Sequence, residues 1–270
     1  MPGRSLLVVL AHPDDEIFVG GMIASLSDRG VPVTLVCATR GEAGDVHPSV
    51  GPVGDLGALR VEELRRSCRV LGIADPVLLR FHDSGRDGQR PAALAQVDMR
   101  EVEASILDVI GDVKPQVVLT FDPHGWYYHP DHLAVQRATT AAFFSSGARG
   151  GKPPARLFCG TMLTDVFRHF ADASRGLGIV DGLDPRLFAT SEESIAVSFD
   201  ASVYLDRKLL ALAAHQSAFG ITAEMLLQPP PEAVQTLHAF RPVLQRETFV
   251  LAGARGTVPQ WPLADFFDGL

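Results

Sequence analysis

The chain has 270 residues, of which 46% are hydrophobic, and a formal net charge of −8 at pH 7. An acidic chain does not offer the basic face that a nucleic-acid backbone requires, so we expect no nucleic-acid partner. No apolar stretch reaches the roughly 20 residues that a membrane-spanning helix needs. The first residues lack the pattern of a secretory leader, and the three cysteines are widely spaced, which together predict free thiols and a cytoplasmic protein.

The first part of the chain alternates two kinds of hydrophobic pattern. Apolar, β-branched runs predict strands, and apolar residues spaced three or four apart predict amphipathic helices between them. The predicted strands cover residues 6–10, 31–38, 76–81, 116–121 and 157–162, and the predicted helices cover residues 17–29, 60–71, 97–113 and 131–144. This alternation predicts an α/β fold with a mainly parallel sheet in the order 3-2-1-4-5, arranged as a Rossmann-like three-layer αβα sandwich.

The pattern loosens beyond about residue 165. A further strand is suggested at residues 195–199 and a helix at 204–214, and three prolines at 229–231 mark a stretch that could form a lid. We therefore expect one domain over residues 1–270, with its core at about 5–165. The C-terminal extension, residues 166–270, is expected to cover the pocket.

Charged side chains are concentrated directly after the first predicted strand. His12 is followed by Asp14, Asp15 and Glu16, and carboxylates this close repel one another and lose solvation if they are buried. A bound cation would remove this conflict. An N-terminal helix cap with exposed acidic residues is the structural alternative.

A second cluster follows the fourth predicted strand. His129 and His132 lie three residues apart near a helix start, so both imidazoles can point the same way. Asp131 can cap that helix or orient a histidine through a hydrogen bond. In the order 3-2-1-4-5 the first and fourth strands are neighbours at the switch point, where ligands bind. Two or three nitrogen and oxygen ligands with an open position are typical of a catalytic zinc site, although a capped helix start would also fit this cluster alone.

The sequence Ala-His-Pro-Asp-Asp-Glu after the first strand, with His-Pro-Asp-His after the fourth, resembles the LmbE-like (PIG-L) family of zinc-dependent N-deacetylases. The resemblance covers about residues 5–165 and continues weakly through 209–217. It implies one Zn²⁺ per chain, with His12, Asp15 and His132 as the metal ligands. It also implies Asp14 as the general base and a protonated His129 as the acid or electrophilic helper.

The same resemblance implies a set of substrate contacts and supporting residues. The implied substrate-binding residues are Arg40, Arg60, Asp83, Tyr127 and His215, and the implied supporting residues are Asp131 and Glu42. Glu16 is expected to support or cap the first cluster. Trp126 and Tyr128 depart from the smaller residues usual in the family and suggest an aromatic pocket mouth.

The implied reaction is hydrolysis of the amide of an N-acylated, most simply N-acetylated, amino sugar, which releases acetate and a free amine. Zinc-assisted attack of water, with Asp14 taking the proton, explains the residues. The rival enzyme is an amidase that cleaves a thiol conjugate of an amino-sugar cofactor. A non-catalytic metal or carbohydrate binder is a different class, which would not need Asp14. The sequence leaves open the aglycone, the acyl group and the oligomeric state, a homo-oligomer included.

Overall fold

The computed structural model describes residues 3–149, 152–173, 184, 188–228 and 241–270. Its strands form a seven-stranded sheet in the order β3-β2-β1-β4-β5-β7-β6. The strands are β1 (Leu6–Leu10), β2 (Val33–Cys37), β3 (Val77–Leu78), β4 (Val117–Phe121), β5 (Arg156–Thr161), β6 (Val197–Asp200) and β7 (Arg246–Ala254). The first five strands are parallel, so the predicted order 3-2-1-4-5 is confirmed.

Helices flank the sheet on both faces. The longer helices are α1 (Gly20–Asp28), α2 (Leu56–Leu71), α3 (Met99–Val113), α4 (Pro130–Ser145), α5 (Thr164–Ala173) and α6 (Leu205–Ala214), and the short ones are α7 (Gln216–Phe219) and α8 (Ala223–Leu227). Helices α1, α2 and α6 pack together in one layer, while α3 and α4 pack together in another. The predicted three-layer α/β arrangement is therefore confirmed. Within the described ranges no helix is long and apolar enough to cross a bilayer.

The C-terminal part of the chain extends the sheet. Strand β7 pairs antiparallel with β5, and β6 pairs antiparallel with β7. Phe249 and Phe266 are buried in the same hydrophobic core as β1. The sequence suggested β6 but gave no prediction of β7, whose apolar run ends in the weak strand formers Ala252-Gly253-Ala254. The proline stretch at 229–231 lies outside the described residues.

The first helix begins later than its apolar pattern predicts. Residues Asp15–Val19 form a 3₁₀ turn, and α1 begins at Gly20. The Glu247 carboxylate of β7 accepts the backbone N–H groups of Gly21 at 2.7 Å and Met22 at 2.8 Å. Free N–H groups at a helix start favour a negative charge, so a residue distant in sequence fixes where this helix begins.

The third strand is shorter than predicted. Regular pairing covers Val77–Leu78, although the N–H of Phe81 still donates to the carbonyl of Ala38 at 3.0 Å. Arg80 has a positive φ of 66°, which breaks the extended conformation. This turn carries Asp83 to the carboxyl edge of the sheet, beside the loops that follow β1 and β2.

Candidate active site

Three side chains with metal-ligand atoms meet at the carboxyl ends of β1 and β4. His12 Nδ1 lies 3.1 Å from His132 Nε2 and 3.6 Å from Asp15 Oδ2, and His132 Nε2 lies 3.3 Å from Asp15 Oδ1. All three side chains are buried to nine-tenths or more. Because β1 and β4 are adjacent, the two clusters that lie far apart in sequence converge at the switch point of the sheet.

The backbone after β1 holds the Asp15 carboxylate in place. Asp15 Oδ2 accepts the N–H of Ala11 at 3.2 Å and the N–H of His12 at 2.7 Å. Burial opposes ionisation of Asp15, but the neighbouring His132 and His12 and these hydrogen bonds outweigh burial and lower its pKa to about 2. Asp15 is therefore an ionised carboxylate, which is the form that binds a cation.

The turn after β4 fixes the orientation of His132. Its Nδ1 lies 3.1 Å from the carbonyl oxygen of Gly125, to which it can donate, and its ring stacks on Phe121 at a centroid distance of 4.1 Å. Gly125 has a φ of +56°, and a Cβ there would lie 2.8 Å from the Cβ of His132. A glycine is thus required for the close approach that leaves His132 Nε2 facing His12.

A buried carboxylate supports His12 from the other side of its ring. His12 Nε2 lies 3.1 Å from Asp131 Oδ2, which also accepts the N–H of Ser84 at 2.9 Å. Burial lowers the pKa of His12, but Asp131, Asp83 and Asp15 outweigh it and raise the pKa well above its usual value. Asp131 Oδ1 is buried and has no hydrogen-bond partner among the residues of the described ranges.

These donors fit a bound metal ion. Two imidazole nitrogens and one carboxylate, with room for a fourth ligand, are the donor set of many catalytic zinc sites. An acidic side chain that orients a ligating histidine, as Asp131 orients His12, commonly accompanies such a set. His129 lies close enough that ligand atoms of His12, His129 and His132 are all within 4.8 Å of one another.

Asp14 lies between His12 and Asp15 in the sequence and lines the cavity beside them. Its φ of 109° is unusual for a residue with a side chain, and it marks local backbone strain. Burial and the charge of Asp15 raise the pKa of Asp14 to about 7, while His215 and Arg60 partly offset this effect. A carboxylate with such a pKa can accept a proton near neutral pH and return it.

His129 lies beside His12 and His132, with ring centroids 4.6 and 4.9 Å away, and lines the same cavity. Burial and the neighbouring His12 and His132 lower its pKa to about 2. Its Nδ1 accepts the N–H of Asp131 at 3.2 Å, which requires an unprotonated Nδ1. Both observations favour a neutral imidazole, in place of the protonated one that the sequence suggested, with an N–H on Nε2.

The site opens into a cavity of about 550 Å³. Seven residues with a predicted role line it, namely His12, Asp14, Arg60, Asp83, Tyr127, Tyr128 and His129. The sequence assigned no role to the other lining residues, among them His47, Arg86, Ala218 and Phe219. His47 lies in the long Gly- and Pro-rich loop after β2, a type of loop that often carries function, so that composition was the available signal.

Arg60 and Asp83 hold the loop after β2 as well as lining the cavity. The Arg60 guanidinium donates to the carbonyl oxygens of Gly41 and Asp45, each at 2.8 Å. Asp83 Oδ2 accepts the N–H of Ala43 at 3.0 Å. Glu42 Oε1 in turn lies 3.0 Å from His82 Nδ1 and accepts the N–H of Asp83 at 3.3 Å.

Two residues expected to bind substrate lie away from the cavity. Arg40 lies against Gly57 at the start of α2, and it is not among the residues that line the cavity. His215 is 1% exposed and lies 2.6 Å from Glu16, behind Asp14. Arg40 packs on α2, and His215 is held against the 3₁₀ turn after β1, contacts between elements that the motifs alone could not show.

One of the two aromatic residues expected at the pocket mouth lies there, and the other is buried. Tyr128 is 51% exposed, has a positive φ of 62°, and lines the cavity. Trp126 is instead 3% exposed, and its indole N–H donates to the carbonyl of Gly160 at 2.9 Å. The expectation that Trp126 lines the mouth was therefore wrong, because this side chain fills the core between β4 and β5.

Comparisons with known proteins identify the family of this chain. Residues 7–143 match the PIG-L family, described as GlcNAc-PI de-N-acetylase. The chain is 35% identical over 239 residues to the 1D-myo-inositol 2-acetamido-2-deoxy-alpha-D-glucopyranoside deacetylase of Acidothermus cellulolyticus, which covers 81% of this chain and 80% of that protein. It is 37% identical over 287 residues to the protein of the same name from Actinosynnema mirum, covering 98% and 96%.

Solved structures show the same fold at lower identity. The N,N'-diacetylchitobiose deacetylase from Pyrococcus horikoshii is 20% identical with a TM-score of 0.60, covering 93% of this chain and 84% of that one. GalB, the 4-carboxy-2-hydroxymuconate hydratase of Pseudomonas putida, is 19% identical with a TM-score of 0.61, covering 95% and 99%. On its family match and its curated relatives, this chain belongs to the PIG-L family of de-N-acetylases, as its two motifs predict.

Proposed function

We propose that this protein is a zinc-dependent N-deacetylase that hydrolyses the acetamide of an N-acetylated amino sugar. The observation that carries the proposal is the position of Asp14. Asp14 lines the cavity together with His12 and His129, and its pKa is raised to about 7. A purely binding site would gain nothing from a strained, proton-accepting carboxylate at this point.

His12, Asp15 and His132 would hold the metal ion, one per chain. When bound, Zn²⁺ supplies activation of a water molecule and polarisation of the amide carbonyl. Asp131 keeps His12 in the tautomer whose Nδ1 is free to bind metal. Two imidazole nitrogens and a buried carboxylate are a donor set that suits a divalent cation.

The remaining steps belong to Asp14 and His129. Asp14 accepts the proton of the attacking water, and it can deliver that proton to the departing nitrogen. Neutral His129 can donate from Nε2 to the oxygen of the amide as negative charge develops there. Removing one such donor typically costs about 10²–10³ in kcat.

The cavity favours a substrate with hydroxyl groups. Asp83 and Arg60 present charged groups to the cavity, and charged groups form strong hydrogen bonds with hydroxyls. Tyr127 lies 5.1 Å from the ring of His132 and can contact the reacting end of a sugar. The relatives' named substrate, an acetamido sugar joined to inositol, is the first compound to test.

The test is acetate release by the metal-loaded protein from that compound and from simpler N-acetylglucosaminides. Asp14→Asn is expected to lower kcat by about 10²–10⁴ while bound zinc stays near one per chain. Bound zinc with no acetate release by the wild type would favour the binder, and an acid other than acetate, identified by mass spectrometry from a thiol conjugate, would favour the amidase. Because a hydratase shares this fold, product identification is the decisive measurement.

We also propose a cytoplasmic location, which is supported by the buried free thiols of Cys37, Cys68 and Cys159. Self-association remains a prediction. Light scattering of the purified protein, and fractionation of the cells that produce it, test these two points.

A further inference from the structure

Glu16 is a buried carboxylate that contacts the backbone of Asp14, the proposed general base. Glu16 is 1% exposed, and its Oε2 accepts the backbone N–H of Asp14 at 3.0 Å. Asp14 is the residue with the left-handed φ of 109°. A backbone conformation of this kind persists only where surrounding contacts fix it. The Glu16 carboxylate is therefore placed to fix the segment that carries the base.

Two further side chains hold Glu16. Its Oε1 accepts the hydroxyl of Ser67, on α2, at 2.5 Å and lies 2.6 Å from Nε2 of His215, between α6 and α7. Ser67 is fully buried, and His215 is 1% exposed. One carboxyl group thus joins the loop after β1 to α2 and to the C-terminal helices.

None of these three side chains lines the cavity, so none is placed to touch substrate. Each can act on the reaction only through Asp14. Proton transfer depends steeply on the placement of the base, and a displacement of about 1 Å can cost roughly 10²-fold in rate. Loss of such a supporting contact should therefore lower kcat and leave zinc binding unchanged.

We propose that Glu16, held by Ser67 and His215, is a positioning residue that fixes the Asp14 carboxylate for proton transfer. The inference rests on the proposed function, in which Asp14 is the base. It gives a positioning role to Glu16, the last acidic residue of the motif after β1, and a supporting role to His215. Neither residue contacts the metal-ligand atoms.

A second buried pair provides a matched control. Ser217 donates its hydroxyl to Glu63 Oε2 at 2.6 Å and its N–H to Glu63 Oε1 at 2.8 Å. This pair joins the same helix α2 to the same C-terminal segment, and both residues are buried. The pair makes no hydrogen bond to Asp14. Ser217→Ala therefore removes a comparable hydrogen bond between α2 and the C-terminal segment without changing a contact of Asp14.

The kinetic arm compares Glu16→Ala, Glu16→Gln, Ser67→Ala and Ser217→Ala in the zinc-loaded enzyme. Glu16→Ala is expected to lower kcat by about 10- to 100-fold with KM and zinc content nearly unchanged. Glu16→Gln keeps an oxygen that can accept the Asp14 N–H and should retain more kcat than Glu16→Ala. The kcat of Ser67→Ala should lie between those of Glu16→Ala and the wild type, and the kcat of Ser217→Ala should equal that of the wild type. Equal losses of kcat in Glu16→Ala and Ser217→Ala would overturn the proposal.

The second arm needs no activity and uses the metal-free protein. Exchange of the Asp14 amide hydrogen, followed by NMR, should be at least about ten-fold faster in Glu16→Ala than in the wild type and in Ser217→Ala. Unchanged exchange in Glu16→Ala would overturn the positioning role whatever the activity. If the wild type releases no acetate, the proposed function fails, while this exchange measurement still decides whether Glu16 fixes Asp14.

Discussion

His12 and Asp131 are joined by a hydrogen bond of 3.1 Å between Nε2 and Oδ2, while Nδ1 of the same imidazole faces His132. The carboxylate oxygen that accepts this bond also accepts the N–H of Ser84. The loop after β1, the start of α4 and the loop after β3 are therefore tied through one carboxyl group. A carboxylate in this position selects the histidine tautomer and makes the ligand more basic.

Replacing that carboxylate should weaken metal binding. Asp131→Asn removes the charge but keeps the shape, and we expect zinc affinity to fall by about 10- to 100-fold. Competition with a chelating dye measures the change. Glu63→Gln, which neutralises a buried carboxylate bonded to Ser217, is the matched control and should bind zinc like the wild type. Equal affinity of Asp131→Asn and the wild type would contradict the role of Asp131.

The two motifs could be found in the sequence because each is a continuous run that follows a strand. The neighbouring positions of β1 and β4 then follow from the order of a parallel sheet, so the convergence of His12, Asp15 and His132 was predictable. The contact of Glu16 with His215 was not, because it depends on how α2, α6 and α7 pack. The wrong prediction for Trp126 has the same cause. In the sequence, an aromatic residue in a short turn is compatible with a surface position and with a core position, and the packing of the elements decides between them.

The His215–Glu16 contact should make stability depend on pH. Burial lowers the pKa of His215, but the carboxylates of Glu16 in the 3₁₀ turn, Asp14 before it and Glu63 on α2 outweigh burial and raise it above its usual value of 6.5. A raised pKa in the folded state means that this stabilisation is complete below 6.5 and is lost as pH rises through the folded pKa.

Urea unfolding of the metal-free wild type and His215→Gln measures this effect. The difference in the free energy of unfolding between the two proteins should be largest near about pH 6 and should shrink towards about pH 9. His47→Gln, at an exposed histidine, serves as the control and should show little such trend. A His215→Gln difference that grows with pH would contradict a raised pKa of His215, because it would mean that folding lowers this pKa.

Tyr128 should affect substrate binding more than turnover. It is half exposed at the cavity mouth and packs edge-on against Phe188 at a centroid distance of 4.9 Å. Tyr128→Ala removes aromatic surface that meets the substrate outside the reacting amide, so KM should rise about 3- to 30-fold with kcat within about two-fold. Steady-state kinetics with a disaccharide-sized and a monosaccharide substrate test this, because the larger substrate should lose more. An unchanged KM for both substrates would place their outer groups elsewhere in the cavity.

Removing one partner of the buried pair of Lys208 and Glu247 should strongly destabilise the fold. Lys208 Nζ lies 2.6 Å from Glu247 Oε1, both side chains are 1% exposed or less, and Glu247 also caps the N–H groups of Gly21 and Met22. Lys208→Met leaves a buried carboxylate without its cation, and the free energy of unfolding should fall by about 3–5 kcal/mol. Adding Glu247→Gln removes the unpaired charge and keeps an acceptor for α1, so the double variant should be more stable than Lys208→Met alone.

Glu62→Gln, which breaks an exposed pair with Arg69, is the control and should leave urea unfolding nearly unchanged. If Lys208→Met unfolds like Glu62→Gln, the cap on α1 does not depend on the lysine.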